Sequence, residues 1–149
     1  MDAKKGVIIL IAEDDDDQYE LTSSALSEYR LSNQLRRVVD GEELMNYLLR
    51  REEYHNEQLY PWPGLILLDL NMPKKDGRET LKEIKSHPQL RTIPVVVLTV
   101  SKDEEDVRRM YDLGANSFIT KPLTFTKLVE AMKALERFWL EIVELPRLR

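Results

Sequence analysis

The stretch Leu65-Ile66-Leu67-Leu68-Asp69-Leu70-Asn71-Met72-Pro73 places an acid at the end of an apolar run. The run predicts a strand over Leu65–Asp69 that is buried on both faces, as in a parallel sheet. Pro73 cannot continue a central strand, so the strand ends near Asp69. A carboxylate beside a buried strand is costly unless it is paired, and α/β sheets bind ligands at the carboxyl ends of their strands. Asp69 therefore needs a partner or a function.

The composition of the chain restricts its class. The 149 residues predict one domain, and an apolar fraction of 42% is sufficient for a core. The net charge of -5 and the lack of a long basic cluster argue against a nucleic-acid partner. The absence of cysteine excludes disulfides and thiol catalysis, and two histidines argue against a multi-histidine metal site. The first apolar run is too short for a signal peptide or a membrane span, so we expect a cytoplasmic protein without a membrane partner.

Buried strands alternate with amphipathic helices along the sequence. Besides Leu65–Asp69, apolar runs predict strands at Val7–Ala12, Leu35–Val39, Ile93–Leu98 and Ser117–Thr120. Helical spacing predicts helices at about 18–29, after Asp40 as N-cap, at about 76–85, at 104–113 before Gly114 as C-cap, and from Phe125 past Glu141. The predicted buried stripe of the first helix is Leu21, Ala25 and Leu26, and the long loop 51–64 is a candidate contact surface. The alternation predicts an α/β fold with a parallel sheet.

The residues at the strand ends are suited to chemistry. Glu13 and Asp14 follow the first strand, and the third, fourth and fifth strands end in Asp69, Thr99 and Lys121. Parallel strands put these ends on one edge of the sheet, where three carboxylates repel one another unless a cation neutralises them. A small number of oxygen ligands suits Mg²⁺. A carboxylate held in this way is a competent nucleophile for phosphoryl transfer, with the lysine and the threonine binding the phosphoryl oxygens.

Each of these residues also has a purely structural interpretation. Asp69 alone can cap a turn, and Asp15–Asp17 can cap the following helix and compensate its dipole. Thr99 can be an ordinary β-branched strand residue, and Lys121 can be a surface lysine. The combination at one sheet edge is much more specific than its parts and favours a functional site.

The same residues resemble the receiver domain of two-component response regulators over nearly the whole chain. The resemblance rests on Glu13-Asp14, Leu68-Asp69-Leu70-Asn71-Met72-Pro73 with Asp76-Gly77, Pro94-Val95-Val96-Val97-Leu98-Thr99, and Lys121-Pro122. It implies a single receiver domain over 1–149 with a flavodoxin-like, doubly wound sheet of order 2-1-3-4-5. It also implies that a sensor histidine kinase phosphorylates Asp69. Mg²⁺ would contact Asp14, Asp69 and the backbone carbonyl of Asn71, with Glu13 acting through a bound water.

The resemblance further implies a conformational switch. The Thr99 hydroxyl would move to bind the aspartyl-phosphate, and Phe118 would follow it inward, which is compatible with Phe118 being a core residue. Many relatives carry tyrosine there, and phenylalanine leaves only a switch based on packing. Val100 departs from the small residue that is usual in the family and would narrow access to the phosphoryl group. Asn71 and Ser101, each two positions beyond a site residue, would tune the lifetime of the phosphorylated state.

The end of the chain resembles a narrower group, the single-domain regulators that serve bacterial and cyanobacterial phytochromes. The stretch Phe138-Trp139-Leu140-Glu141-Ile142-Val143-Glu144-Leu145-Pro146 carries this resemblance, which implies a phytochrome-type kinase as partner. An extended last helix, at about 125–145, has an apolar stripe that we expect to run past the sheet and to be exposed. We therefore expect a homodimer through Phe138, Trp139 and Ile142. The alternative is a helix that folds back on its own domain.

Two rival functions use the same fold or the same residue types. A haloacid-dehalogenase-type phosphatase has its nucleophile first, followed two residues later by a second acid, whereas here the acid pair precedes Asp69 and Asn71 takes the later position. A non-signalling binding module would have lost the chemistry, yet no site residue is missing. A dinucleotide-binding protein is disfavoured because no Gly-x-Gly-x-x-Gly follows the first strand. We expect a phosphoacceptor rather than a turnover enzyme, with output through a protein contact or a phosphorelay.

Overall fold

A computed structural model describes residues 7–26 and 34–146 of the chain. In these ranges five strands alternate with five α-helices. The strands are β1 (Ile9–Ala12), β2 (Leu35–Val38), β3 (Leu65–Leu68), β4 (Val95–Thr99) and β5 (Ser117–Thr120). The helices are α1 (Asp16–Leu26), α2 (Gly41–Leu48), α3 (Gly77–Ser86), α4 (Glu104–Leu113) and α5 (Phe125–Glu136), with a 3-10 turn at Glu52–His55 and a π-helical turn at Arg137–Ile142.

The five strands form one parallel sheet in the order β2-β1-β3-β4-β5. In the register of the sheet, Ile11 of β1 pairs with Arg37 of β2 and with Leu67 of β3, and Val97 of β4 pairs with Phe118 of β5. All strands run in the same direction, so their carboxyl ends lie on one edge. The predicted α/β, flavodoxin-like fold and strand order are confirmed.

Alternate residues of the central strands fill two cores on opposite faces of the sheet. One core contains Leu10, Ile66 and side chains of α2, α3 and α4. The other contains Ile11, Leu67 and side chains of α1 and α5. Since both faces are covered by helices, the central strands β1 and β3 are apolar along their whole length and β4 is apolar up to Thr99, which explains the uninterrupted runs in the sequence.

The strands are shorter than predicted at four ends, one of which is the end of β3 at Leu68 rather than Asp69. β1 begins at Ile9 rather than Val7, and β2 ends at Val38, which leaves Val39 38% exposed in a bend. β4 begins at Val95, because the amide of Ile93 donates to the carbonyl of Leu90 in the preceding turn. Because the amide of Ile93 is used in that turn, it cannot also donate a hydrogen bond to a neighbouring strand.

The predicted buried stripe of α1 is wrong at one position. Ala25 and Leu26 are buried as expected, but Leu21 is 42% exposed, and Thr22 is buried in its place. The helix begins two residues earlier than predicted, because Asp15 caps it by accepting a hydrogen bond from the amide of Gln18 at 2.9 Å. The predicted end of this helix, at Tyr29, lies outside the described residues.

Two predicted helix ends are confirmed by their capping geometry. The carboxylate of Asp40 accepts a hydrogen bond from the amide of Glu43 at 2.7 Å at the start of α2. Gly114 follows α4 in the left-handed conformation with φ of 110°, which favours glycine. Within the described ranges, no helix combines the length and the apolar character that crossing a membrane requires.

The last helix is shorter than predicted. α5 ends at Glu136, and the following turn is π-helical, with the amide of Val143 donating to the carbonyl of Phe138 at 2.9 Å. Val143 is extended and residues 144–146 are not helical, so the helix does not reach residue 145. Trp139 packs against its own core, as the folded-back alternative required, whereas Phe138 and Ile142 are 47% and 60% exposed. Of the three residues expected at a dimer surface, Phe138 and Ile142 are exposed as that expectation requires. Trp139 instead packs against its own domain.

Candidate functional site

Three carboxylates meet at the carboxyl ends of β1 and β3. One oxygen from each of Glu13, Asp14 and Asp69 lies within 4.8 Å of the others. The amide of Asp69 donates to the carbonyl of Ala12 at 3.1 Å, which fixes the two strand ends side by side. Glu13 is 3% exposed and Asp69 is 9% exposed, whereas Asp14 is open to solvent. The acids that the sequence singled out as one cluster do lie together.

Lys121 reaches this cluster from the end of β5. Its ammonium forms a buried ion pair with Glu13 and lies 4.0 Å from Oδ2 of Asp69. Burial raises the pKa of Glu13 to about 7, the negative charge of Asp69 adds to the rise, and the hydrogen bond from Lys121 opposes it. One ammonium therefore does not fully compensate three crowded carboxylates, and the site is suited to a further cation.

The geometry of the acids fits a hard divalent cation. Oxygen ligands about 2.1 Å from Mg²⁺ lie up to ~4.2 Å apart across the ion. The 4.8 Å cluster of Glu13, Asp14 and Asp69 needs only a small contraction to match this spacing. The amide of Asn71 donates to Oδ1 of Asp69 at 3.4 Å, which keeps the loop after β3 close to the carboxylate. The main chain at Asn71 is thus adjacent to the candidate metal site.

Thr99 ends β4 with a buried and unsatisfied hydroxyl. The residue is 0% exposed, and its Oγ1 has no hydrogen-bond partner in the part of the chain that the structure describes. The amide of Lys121 donates to the carbonyl of Thr99 at 2.7 Å, so the two residues are fixed to each other through their main chains. A buried hydroxyl without a partner costs free energy, and a ligand that accepts or donates a hydrogen bond would recover it.

The other site residues predicted from the sequence are Val100, Phe118 and Ser101. Val100 is 60% exposed and lines a groove of about 220 Å³ together with Lys121. Phe118 is partly buried against the core beneath α4, and its amide donates to the hydroxyl of Tyr111 at 3.1 Å. The hydroxyl of Ser101 donates to a residue of α4. Phe118 and Ser101 thus connect the sheet edge with α4.

Sequence reasoning missed the role of Arg37. Its Nε donates to the carbonyl of Glu13 at 3.0 Å, and its guanidinium also contacts the carbonyl of Asp14 at 3.3 Å and the carboxylate of Asp16 at 2.8 Å. The acidic segment after β1 is therefore fixed by a side chain of β2. The only signal in the sequence is an arginine inside a short predicted strand, because these contacts span more than twenty residues.

Gly77 allows α3 to start against the segment that carries Asp69. A Cβ atom at Gly77 would lie 2.4 Å from the carbonyl oxygen of Asp69 and 2.7 Å from the Cα atom of Leu70. The amide of Gly77 donates to the carbonyl of Leu70 at 3.0 Å. Only glycine fits this approach, and this explains the glycine of the Asp76-Gly77 pair that the sequence displayed.

Comparisons with known proteins agree with this geometry. Residues 9–133 match the response regulator receiver domain. The response regulator Rcp1 of Synechocystis sp. is 44% identical over 139 residues, which are 93% of this chain and 92% of Rcp1.

Solved structures of similar proteins cover nearly all of the chain. The phosphorylated cyanobacterial phytochrome response regulator RcpA gives a TM-score of 0.84 at 43% identity, and the Mn²⁺-bound form of Rcp1 gives 0.83 at 42% identity. Each comparison covers 95% of this chain and 99% of the other. The carboxylate cluster, the strand order and these matches lead to one assignment. This chain belongs to the response regulator receiver domain family.

Proposed function

We propose that Asp69 is the phosphoacceptor of a signalling protein and that it takes its phosphoryl group from a sensor histidine kinase. The observation that carries this proposal is the convergence of Glu13, Asp14 and Asp69 within 4.8 Å, with the ammonium of Lys121 4.0 Å from Asp69. Asp69 is the central member of this group, because it alone of the three acids follows β3, the strand that pairs with the strand ending in Thr99.

The transfer needs no proton donor at Asp69. A carboxylate oxygen of Asp69 would attack the phosphorus of a phosphohistidine, an O–P bond would form, and the N–P bond would break. The electron pair of that bond leaves with the imidazole nitrogen, which takes up a proton from solvent. Lys121 and the Thr99 hydroxyl would bind oxygens of the transferred group, so the site acts by positioning and charge stabilisation.

The cofactor that fits the acids is Mg²⁺. Asp14, Asp69 and the carbonyl of Asn71 would hold it, and Glu13 would act through a bound water. When bound, the ion would neutralise negative charge on the phosphoryl group. Support comes from the oxygen-only cluster in this chain and from the Mn²⁺-bound form of the similar protein Rcp1.

Phosphorylation would act on the fold through Thr99 and Phe118. The unsatisfied hydroxyl of Thr99 is the group that gains a partner when a phosphoryl oxygen arrives. Phe118 has no polar group, so its response would be a change of packing beneath α4. Val100 would limit access to the site from its exposed position, while Asn71 and Ser101 would tune the lifetime of the phosphorylated state.

A phytochrome-type histidine kinase is the partner that the comparisons favour, because RcpA is a phytochrome response regulator. Its phosphohistidine must come close to Asp69. A groove of about 450 Å³ between α1 and the start of α5 is lined by Asp17, Glu20, Leu21, Ser24 and Phe125. Leu21 and Phe125 are large apolar side chains exposed beside this groove, and the groove that contains Val100 and Lys121 shares both of them. This surface would bind a helix of the kinase.

The receiver would deliver its output through its own protein contacts, or it would pass the phosphoryl group onward in a phosphorelay. The exposed side chains of Phe138 and Ile142 would form a homodimer contact. Trp139 would support this contact from below by holding the π-helical turn against the core.

Phosphotransfer from candidate phytochrome kinases tests the proposed function. The native chain should gain label from a phosphorylated cognate kinase within minutes, and Asp69→Asn should gain none. Asp112→Asn is a matched control, because it makes the same chemical change at an exposed position of α4. Equal labelling of Asp69→Asn and the native chain would contradict the assignment of Asp69.

The phosphatase alternative makes a different prediction in the same preparation. An enzyme of that type would release phosphate continuously from small phosphate esters. A receiver would show no such turnover. The position of Asn71 two residues after Asp69 favours the receiver, because the second acid of the phosphatase is missing there.

A further inference from the structure

Helix α4 has little apolar contact to fix its position. Met110 is its one fully buried residue in the structure as described, Leu113 is partly buried, and Glu104 and Glu105 in the first turn are exposed acids. A helix that buries so little apolar surface gains little from the hydrophobic effect. Its position must therefore depend on polar contacts with its neighbours.

Arg78 at the start of α3 provides the strongest of these contacts. Its Nε and one terminal nitrogen donate to the two carboxylate oxygens of Asp106 in α4, at 2.9 and 2.7 Å. Its other terminal nitrogen forms an ion pair with Asp76 at 3.1 Å. A bidentate hydrogen-bond geometry of this kind is the strong and directional form of an arginine–carboxylate pair. The side chains of Arg78 and Asp106 are only 21% and 18% exposed, so solvent weakens the pair less than it would at the surface.

Asp106 extends this contact to the loop after Thr99. The hydroxyl of Ser101 donates to Oδ2 of Asp106 at 3.1 Å, and the hydroxyl of Thr120 donates to the carbonyl of Ser101 at 3.3 Å. Ser101 lies two residues after Thr99. A chain of direct contacts thus runs from α3 through α4 to the segment that carries the unsatisfied hydroxyl.

We propose that the Arg78–Asp106 ion pair is a positioning device that holds the segment 99–101 in the arrangement that buries the Thr99 hydroxyl, and so limits the affinity of the site for a phosphoryl group. The proposal rests on the proposed function of Asp69. In the described structure Thr99 is 0% exposed and its hydroxyl is buried, so a phosphoryl oxygen can reach this hydroxyl only if the segment shifts. Ser101 cannot shift freely while it is hydrogen-bonded to an Asp106 that Arg78 holds.

The sign of the effect follows from the state in which the contacts are made. An interaction that is present in one arrangement and weakened in the other biases the equilibrium toward the first. Removing the ion pair should therefore make phosphoryl binding tighter, although the fold becomes less stable. These opposite changes separate a positioning role from general damage, which would weaken binding and stability together.

Beryllofluoride with Mg²⁺, a stable analogue of the aspartyl-phosphate, is a suitable probe of this inference. We expect Asp106→Asn and Arg78→Met each to bind it more tightly than the native chain by about tenfold, within the range of ordinary coupling between sites. The double variant should bind no more tightly than either single variant, because both remove the same contact. Asp106→Glu keeps the charge and should stay close to the native affinity.

Glu83→Gln is the matched control, because it removes an α3 ion pair, with Lys75, that does not reach α4. It should leave the affinity for beryllofluoride unchanged. Unchanged or weaker binding by a folded Asp106→Asn protein would overturn the inference.

Hydrogen exchange of the backbone amides of residues 100–103 provides a readout that needs no phosphoryl analogue. Asp106→Asn should increase exchange there, and Glu83→Gln should not. Equal exchange in the native chain and Asp106→Asn would overturn the inference on its own. Failure of the native chain to bind beryllofluoride would instead count against the proposed function of Asp69, so the two failures are distinguishable.

Discussion

Asp69 is a buried carboxylate with other charged groups next to it. It follows directly after a buried strand, and two further acids and one ammonium surround it. Removing such a group from water without compensation would be costly, so its neighbours are part of the reason it is tolerated. We expect residues that border the approach to Asp69 to affect the rate of its phosphorylation. Val100 is the residue of this kind that departs from the usual pattern of the family.

Shortening Val100 should speed phosphorylation. Val100→Ala removes two methyl groups from an exposed position beside the groove that contains Lys121. We expect labelling by acetyl phosphate with Mg²⁺ to become about threefold faster, equivalent to ~0.6 kcal/mol of activation free energy. Loss of the phosphoryl group by hydrolysis should become faster as well. The rates can be followed by intact-protein mass spectrometry, and slower labelling of the variant would contradict a shielding role.

The sequence could predict the site residues that follow strands, but not those that reach the site from elsewhere. Glu13, Asp69 and Lys121 come at strand ends, and a parallel sheet brings such ends to one edge whatever the details of packing. Arg37 and Arg78 act through side-chain contacts with residues more than twenty positions away. No local pattern encodes such a pair, because it depends on how neighbouring elements pack.

At the scale of elements, local signals predicted the helices and strands well where a cap or a turn residue marks the end. Asp40 and Gly114 mark such ends, and both were predicted. The π-helical turn after Glu136 was missed, because Arg137–Ile142 has ordinary helical spacing. Its register depends on packing of Trp139 against the core, which is a tertiary effect. Leu21 was wrongly predicted to be buried for a similar reason, because helical spacing does not show which neighbouring element covers a given residue.

Helix α3 is connected to the segments that precede β4 and β5 by the half-buried Lys85. The ammonium of Lys85 donates to the carbonyls of Arg91 and Ile93, at 3.1 and 2.8 Å, and to the side-chain oxygen of Asn116 at 3.1 Å. Burial lowers the pKa of Lys85 to about 8. The folded state therefore loses this proton near pH 8, while the unfolded chain keeps it up to its ordinary value of 10.5.

This difference predicts a pH dependence of stability. Between pH 8 and about 10.4 the unfolded state binds more protons at Lys85, so the free energy of unfolding should rise with pH through this group. The expected contribution is on the order of 2 kcal/mol. It should be measured by urea unfolding at pH 7.5 and pH 10 as the difference between the native chain and Lys85→Met, because tyrosine ionisation is common to both. The same pH slope in both proteins would show that the pKa of Lys85 is not lowered.

At the scale of the whole molecule, two pairs of exposed apolar side chains lie at separate places. Leu21 and Phe125 are exposed beside the groove near the site, and Phe138 and Ile142 are exposed on the π-helical turn. Such patches are typical of contact surfaces. The first surface is suited to a phosphoryl donor, because it lies next to the groove that reaches Lys121. The second lies beyond the end of α5, and its two residues line neither of the grooves beside the site.

A charge on the π-helical turn should separate the proposed dimer. We expect the native chain to sediment as a dimer at micromolar concentration, and Phe138→Glu to weaken self-association by about 100-fold, as for a central interface aromatic. Leu59→Glu is the control, because it places the same charge on another exposed apolar residue. Sedimentation velocity distinguishes these outcomes. A native chain that is monomeric at this concentration would remove the dimer contact from the proposed function.

The most direct test of the central claim is to identify the phosphorylated atom. The native chain should be incubated with acetyl phosphate and Mg²⁺ and then reduced with borohydride, which converts an acyl phosphate into an alcohol. Peptide mass spectrometry should then find homoserine at position 69 alone. Chelation of Mg²⁺ before labelling should abolish it, and Asp69→Asn should show no reduced residue. Reduction at Asp14 or Glu13 instead, or the same product in Asp69→Asn, would contradict the assignment of Asp69 as the phosphoacceptor.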